Sequence, residues 1–205
     1  MDALVAPPIR NAAWWLLVGG SLATVGAFWP PYRQWIAPLE EGMRVIAAHP
    51  IGWKLIHLWF VAGTWIVVVG LGVLALAMRG REGASAALVA AVMFALASAC
   101  WSLVIACRLS VTVQAANHLV TTGSLPEGYA VWRTWTGRLF AGFSLLAYGS
   151  IATTGWAMLR SGLVSRGLGW LLVVWGVTLG FVIGRNVPLV AYIPAIILGS
   201  VLLRA

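Results

Sequence analysis

Six stretches of the chain are continuously apolar, and each approaches or exceeds the length of a helix that crosses a bilayer. A hydrocarbon core about 30 Å thick requires roughly 20 apolar residues in helical conformation. The six predicted helices cover residues 12–29, 55–78, 84–107, 139–159, 168–184 and 187–203. Since polar residues and turns separate them, the pattern predicts a single all-α domain over residues 1–205, an integral membrane bundle of six transmembrane helices.

The two longest connections between these helices also have helical patterns. In the first, Trp35, Leu39, Met43 and Ile46 recur at spacings of four, four and three residues. This periodicity predicts an amphipathic helix over about 32–48, lying along the membrane interface with its apolar stripe in the headgroup region.

The second long connection follows the third predicted helix. Residues 108–120 contain neither glycine nor proline, and residues 121–126 supply a turn. Because nothing interrupts the helical pattern on either side of this turn, the third and fourth helices are expected to extend past the membrane as an outer hairpin. A loose loop is the alternative.

Composition excludes two classes of protein. Hydrophobic residues make up 61% of the chain and charged residues 9%, whereas soluble domains carry roughly 25% charged residues. The apolar content also excludes a disordered chain. The formal net charge is +8. Because the cations are scattered between apolar segments, they are expected to set the orientation of the chain in the membrane and not to bind nucleic acid.

The placement of arginine predicts the orientation in the membrane. Arg79, Arg81, Arg160 and Arg166 occupy the shortest connections, where positive charge marks the cytoplasmic side most cleanly. Both termini are then expected in the cytoplasm, with the two long connections outside. The expected location is the bacterial inner membrane.

The predicted transmembrane helices contain few residues that could take part in catalysis or ion transport. All five acidic residues, Asp2, Glu40, Glu41, Glu82 and Glu127, lie outside them. Coupled transporters usually place a carboxylate within the membrane, so their absence argues against ion or proton coupling. A bis-histidine haem would need His57 and His118 at one depth, and the predicted helices separate them. We therefore expect no metal and no cofactor.

Cations and polar groups gather at the outer ends of the predicted helices. One face of the third helix and its extension is polar: Cys100, Cys107, Ser110, Gln114, Asn117 and His118 fall within about 100° of arc. Together with the neighbouring helix ends, this face predicts a pocket for an anionic headgroup or a carboxylate. The predicted ligand-binding residues are Lys54, His57, Arg108, Gln114, His118, Arg138 and Arg185. Independent side chains that extend towards the headgroups are the alternative.

Three functions remain open at this point. The leading hypothesis is a non-enzymatic accessory subunit, or a binder of a lipid or other amphiphile, that meets a membrane-protein partner through residues 30–52 and 108–136. The second is an intramembrane enzyme for an amphipathic substrate, with His57 or His118 as acid or base. The third is a small facilitator built from two inverted halves of three helices each.

The facilitator hypothesis depends on a possible internal repeat. Residues 20–26 read GSLATVG and residues 149–155 read GSIATTG, which places the two segments in the first and fourth predicted helices. Small residues at four-residue spacing are also common in membrane helices without any duplication, because they allow close approach of backbones.

Two short patterns carry a family resemblance. His49-Pro50-x-x-Trp53-Lys54-x-x-His57 opens an apolar helix, and Arg185-Asn-Val-Pro188 precedes a last helix that contains proline. In these features the chain resembles small bacterial six-helix integral membrane proteins of unassigned function. The resemblance implies six helices and indicates no activity.

Overall fold

The structure, a computed structural model, describes residues 7–28, 37–179 and 188–204. Within these ranges the chain forms helices joined by short turns and no β-strand, which confirms the all-α prediction.

The helices are named in chain order. They are α1 (Pro7–Phe28), α2 (Leu39–Ala48), α3 (Pro50–Ala77), α4 (Ala84–Cys107), α5 (Val113–Thr122), α6 (Tyr129–Ser161), α7 (Arg166–Val174) and α8 (Ile193–Leu202). A π-helical turn, Arg108–Thr112, joins α4 to α5, and a second, Trp175–Leu179, continues α7. A 3-10 turn, Pro188–Ala191, precedes α8.

Two of these helices are long and apolar enough to cross a membrane. They are α3, with 28 residues, and the continuous helix Ala84–Thr122, with 39 residues. Their length and composition indicate association with a membrane. The shorter apolar helices Arg166–Leu179 and Ile193–Leu202 do not reach this length individually.

The long helices pack against their chain neighbours in antiparallel pairs. Along α1 the contact positions rise through Leu16, Gly19 and Ala23, while their partners on α3 fall through Gly70, Val67 and Gly63. The pairs α3 with α4, α4 with α6, and α6 with α7 follow, and α8 packs on α1. The 3-10 turn before α8 packs on α6 and closes this series, so the helices surround one hydrophobic core.

Glycine determines how closely two of these pairs approach. A Cβ at Gly63 would lie 2.5 Å from the backbone nitrogen of Ala23, and one at Gly176 would lie 2.5 Å from that of Ala152. Because no side chain fits at these distances, glycine is what allows the α1–α3 and α6–α7 backbones to touch.

Aromatic rings fill the centre of the bundle. Trp101 lies 5.2 Å from Phe60 and 5.1 Å from Phe143, measured between ring centroids. Tyr192 packs edge-on against Phe60, and its hydroxyl group lies 2.7 Å from the Thr64 hydroxyl. A buried phenol needs such a partner, so this hydrogen bond fixes Tyr192 within the core.

Trp175 compensates for a missing backbone donor at the start of α8. Pro194 has no N–H group and cannot bond to the carbonyl oxygen of Val190, one helical turn earlier. The indole Nε1 of Trp175 donates to that oxygen at 3.2 Å. The π-helical turn that begins at Trp175 is thus tied to the proline-containing segment.

A small second hydrophobic cluster lies beyond one end of the bundle, which we call the outer end. Here α2 packs on α5, and Met43, Ile46, Trp53, Leu119 and Tyr129 form the centre of what we call the outer cluster. Met43 and Ile46 are almost fully buried by protein. The sequence pattern predicts the headgroup region for these two side chains, but the apolar side of α2 is instead covered by α5.

The hairpin at the outer end is formed by α5 and α6. The π-helical turn continues α4 into α5, which ends at Gly123 with a backbone φ of +81°, a conformation that favours glycine. Residues 124–128 make the turn, and α6 begins at Tyr129. The helices on both sides of the turn thus extend past the predicted spans that end at residue 107 and begin at residue 139.

Candidate functional site

The π-helical turn at Arg108 is the centre of the polar structure at the outer end. A π-turn contains an extra residue, so the regular i to i+4 pairing of backbone groups is interrupted there. The carbonyl oxygen of Arg108 accepts a hydrogen bond from Trp53 Nε1 at 3.1 Å. Trp53 thereby connects the start of α3 to the junction between α4 and α5.

His57 lies directly beneath Trp53 on α3. Its ring centroid is 4.0 Å from that of Trp53, and its Nδ1 lies 2.7 Å from the Trp53 carbonyl oxygen. Because a carbonyl only accepts, Nδ1 carries the proton in this hydrogen bond. The side chain is 2% exposed, so His57 is a buried structural neighbour of Trp53 in this conformation.

The guanidinium group of Arg108 packs on an aromatic face. Its central carbon lies 5.2 Å from the centroid of Trp101, within the range of a cation–π interaction. Trp101 itself belongs to the aromatic core of the bundle. Trp53, His57, Arg108 and Trp101 therefore form one continuous cluster that links the outer end to the core, here called the arginine cluster.

Tyr129 closes the outer side of this region. Burial raises the pKa of its phenol, while a hydrogen bond with the Thr112 side chain and the positive charge of Arg133 act in the opposite direction. The phenol consequently remains protonated at neutral pH and retains its O–H group as a donor.

A groove opens next to Tyr129, between the start of α2 and the start of α6. Its volume is about 410 Å³. The residues that line it are Leu39, Leu125, Pro126, Tyr129, Ala130, Arg133 and Thr134. Apolar carbon forms most of this lining, and Arg133 supplies a cation. Arg160–Glu82 is the ion pair within the described ranges, so Arg133 has no carboxylate partner there.

The structure brings together only part of the predicted site. His57 and Arg108 share the arginine cluster, whereas Lys54, Gln114 and Arg138 lie exposed on three different helices. His118 is exposed and bonds to the turn after α5, through Nδ1 and the Ser124 carbonyl at 2.9 Å. Arg185 lies outside the described residues.

The two candidate haem or acid–base histidines have separate partners. His57 bonds to Trp53 inside the bundle, and His118 bonds to Ser124 at the surface. Within the part of the chain that the structure describes, no three His, Cys, Asp or Glu residues form a group able to hold a metal ion.

The residues that organise this region are not among the predicted site residues. Trp53, Thr112, Tyr129 and Arg133 were not singled out as such in the sequence. The usable signal was the heptad-like recurrence of apolar residues in both 39–46 and 109–119. It indicates two helices that can cover each other, and thus a groove where they meet α6.

Comparisons with protein-family models, curated proteins and solved structures give no match for this chain.

Proposed function

We propose that the chain is a non-enzymatic, multi-pass protein of the bacterial inner membrane that binds an amphiphile with an anionic head. The groove between α2 and α6 carries this proposal, because it combines an apolar lining with Arg133 and the Tyr129 phenol. Such a lining suits an acyl or other apolar group, and the guanidinium suits a phosphate or carboxylate.

Repeated membrane crossing is supported by the lengths and directions of the long helices, and the last two of the six proposed crossings would use the shorter segments Arg166–Leu179 and Ile193–Leu202. α1 has 22 residues and α6 has 33, so both can cross a core about 30 Å thick. Antiparallel packing of successive long helices is the geometry of a chain that crosses repeatedly. The arginines between α3 and α4, and between α6 and α7, then face the cytoplasm together with both termini.

The position of the groove suits an amphiphile in the outer leaflet. It lies at the outer end, where α5 and α6 extend beyond the predicted spans. Trp132 and Trp135 are half exposed on the neighbouring surface of α6, with ring centroids 5.8 Å apart. Tryptophan prefers the headgroup level of a bilayer, so the groove would open at that level.

A membrane-protein partner is proposed for the same outer surface, over residues 30–52 and 108–136. An accessory subunit would use the exposed side of α2 and the hairpin for this contact. The enzyme hypothesis gains no support from the described residues, because His57 is 2% exposed and neither His57 nor His118 lines the groove.

We predict that Arg133→Gln weakens binding of phosphatidylglycerol about fivefold. Loss of one partly exposed ion pair is worth about 1 kcal/mol. The measurement is native mass spectrometry of the full-length protein in mild detergent, titrated with phosphatidylglycerol and, in parallel, with phosphatidylcholine. Arg138→Gln is the matched control, since Arg138 is also exposed on α6 but does not line the groove.

A second variant tests the apolar part of the groove. Ala130→Trp places a large ring into the groove from an exposed position and should reduce binding of both lipids, whereas Val131→Trp, which points elsewhere and is 72% exposed as valine, should not. Equal binding by wild type, Arg133→Gln and Ala130→Trp would contradict the proposed site.

A further inference from the structure

The end of the bundle opposite the outer end, which we call the inner end, carries a group of exposed arginines. Close backbone contacts bring the helix ends together there. A Cβ at Gly83 would lie 2.6 Å from the Ala157 carbonyl oxygen, and one at Gly199 would lie 2.7 Å from the Ala13 carbonyl oxygen. The exposed cations of this end are Arg10, Arg79, Arg81, Arg160, Arg166 and Arg204.

Acidic side chains balance little of this charge. Within the described ranges Glu82 is the single acidic residue of the inner end, and it pairs with Arg160 at 3.4 Å. The remaining described acids, Glu40, Glu41 and Glu127, lie at the outer end. The described part of the inner end therefore keeps an excess of five positive charges, and such a surface attracts anions.

Three of these arginines share a helix face with a tryptophan. Trp14 follows Arg10 by four residues on α1, and Trp170 follows Arg166 by four on α7. On α6, which runs the other way, Trp156 precedes Arg160 by four. Residues four apart are neighbours on a helix surface, and all three indoles are about half exposed. We call these the arginine–tryptophan pairs; in each of them the indole lies one turn deeper in the bundle.

The spacing within each pair fits the polar layer of a bilayer. Four residues rise about 6 Å along a helix, and the headgroup layer on each side of the hydrocarbon core is about 5–8 Å thick. A guanidinium group at the level of the lipid phosphates would thus place its tryptophan near the boundary with the hydrocarbon. Tryptophan is enriched at that boundary, because its ring is apolar and its N–H group is a donor.

The exposed cations of the outer end do not have this arrangement. The cations compared are Lys54, Arg133 and Arg138. The residues four positions deeper in the bundle are Leu58, Gly137 and Gly142. The combination of a cation and a deeper indole therefore distinguishes the inner end, and does not accompany every cation of the chain.

The deeper indoles favour a lipid over an acidic protein as the partner. A protein that docks on the inner end from the aqueous side would meet the arginines first, with the indoles one turn below them. A phospholipid offers groups at both levels: a phosphate that suits a guanidinium, and ester carbonyl oxygens that accept from an indole N–H.

We propose that the inner end binds anionic phospholipids of the cytoplasmic leaflet at the three arginine–tryptophan pairs. In each pair the guanidinium binds the lipid phosphate and the indole donates to an ester carbonyl of the same lipid. Arg160 takes part as well, because its ion pair with Glu82 uses Nη2 and leaves other N–H donors. The proposal rests on the multi-pass part of the proposed function and is independent of the groove at the outer end.

The test is native mass spectrometry of the full-length protein in mild detergent, titrated with phosphatidylglycerol and with phosphatidylcholine. Every variant carries Arg133→Gln, so that the cation of the outer groove does not contribute. Arg10→Gln combined with Arg166→Gln should weaken phosphatidylglycerol binding about fivefold at the affected sites. The preference for phosphatidylglycerol over phosphatidylcholine should fall with it.

Arg79→Gln combined with Arg204→Gln is the matched control. It removes the same charge from the same end, but Ala75 and Ser200 occupy the positions one turn deeper, so binding should stay within about twofold of the parent. Trp14→Leu combined with Trp170→Leu keeps every charge and should weaken binding of both lipids about threefold. Circular dichroism establishes the helix content of each variant.

Equal weakening by the two arginine double variants would overturn the proposal, because charge alone would then explain the binding. Equal affinity of the parent for the two lipids would overturn it as well. The groove at the outer end is judged separately, by comparing Arg133→Gln with wild type. If that comparison shows no change while Arg10→Gln with Arg166→Gln weakens binding, the groove fails and the inner sites stand; the reverse pattern has the reverse meaning.

Discussion

Gly63→Ala is expected to lower the free energy of unfolding by about 3 kcal/mol, at the upper end of the usual cost of overpacking. The added Cβ would lie 2.5 Å from the Ala23 nitrogen and 3.0 Å from its Cα. Since these atoms belong to the backbone of α1, they cannot rotate away as a side chain would. The α1–α3 pair must separate, and packing along its whole length is lost.

Gly72→Ala provides the matched control on the same helix. A Cβ at Gly72 meets no atom within 4 Å, and alanine is the better helix former, so this variant should be neutral or slightly more stable. Unfolding of both variants is measured by circular dichroism during titration of the detergent-solubilised protein with sodium dodecyl sulfate. A midpoint for Gly63→Ala equal to that of Gly72→Ala would show that the two helices do not touch there.

Trp53→Ala is expected to cost about 3–5 kcal/mol, as is usual when a buried tryptophan is truncated. Trp53 is 4% exposed, belongs to the outer cluster and donates to the carbonyl oxygen at the π-helical turn. Its removal leaves a cavity between α3 and α5 and deprives the Arg108 carbonyl of this donor. The same detergent titration measures the loss.

Trp53→Phe separates the two contributions. Phenylalanine retains most of the packing but not the hydrogen bond, so we expect a smaller loss, of which about 1 kcal/mol comes from the hydrogen bond. Trp132→Ala is the control for removing an indole from an exposed position, and its midpoint should stay within about 0.5 kcal/mol of wild type. If Trp132→Ala lowered the free energy of unfolding as much as Trp53→Ala, the stabilising role assigned to the buried Trp53 side chain would be wrong.

Much of the helical architecture could be predicted from the sequence, because apolar runs and breaks in them are local features. The predicted helix 84–107 has the bounds of α4, and the periodicity of Met43 and Ile46 correctly indicated an amphipathic helix. What covers that helix could not be predicted. Its apolar side meets α5, which is more than 60 residues later in the chain, and a single sequence gives no direct sign of such a contact.

The candidate site was harder to predict, because it depends on irregular backbone. The π-helical turn at Arg108 has no proline, glycine or other recognisable mark in the sequence. It rotates α5 relative to α4, and residues that would share one face of a regular helix are consequently separated. Cys107 is buried, while Gln114, seven residues later, and His118 lie exposed.

The role of the groove residue Arg133 also could not be predicted from the sequence. In sequence it is one of 13 basic residues and has no distinguishing neighbour. Its significance comes from the placement of Leu39 and Leu125 beside it, which requires α2 to fold back across the hairpin. The position of the Arg133 charge could be predicted from the sequence, but the apolar residues that surround it could not.

The continuous helix from Ala84 to Thr122, which includes the π-helical turn, gives the molecule a mechanical property. Its 39 residues extend for about 58 Å, nearly twice the thickness of a hydrocarbon core. A rod of that length converts a tilt of about 5° near its base into a displacement of about 5 Å at its tip. Phe94 on this helix packs in the core of the bundle and Leu119 near its far tip packs in the outer cluster, so a tilt of this one element would move the outer cluster relative to the core.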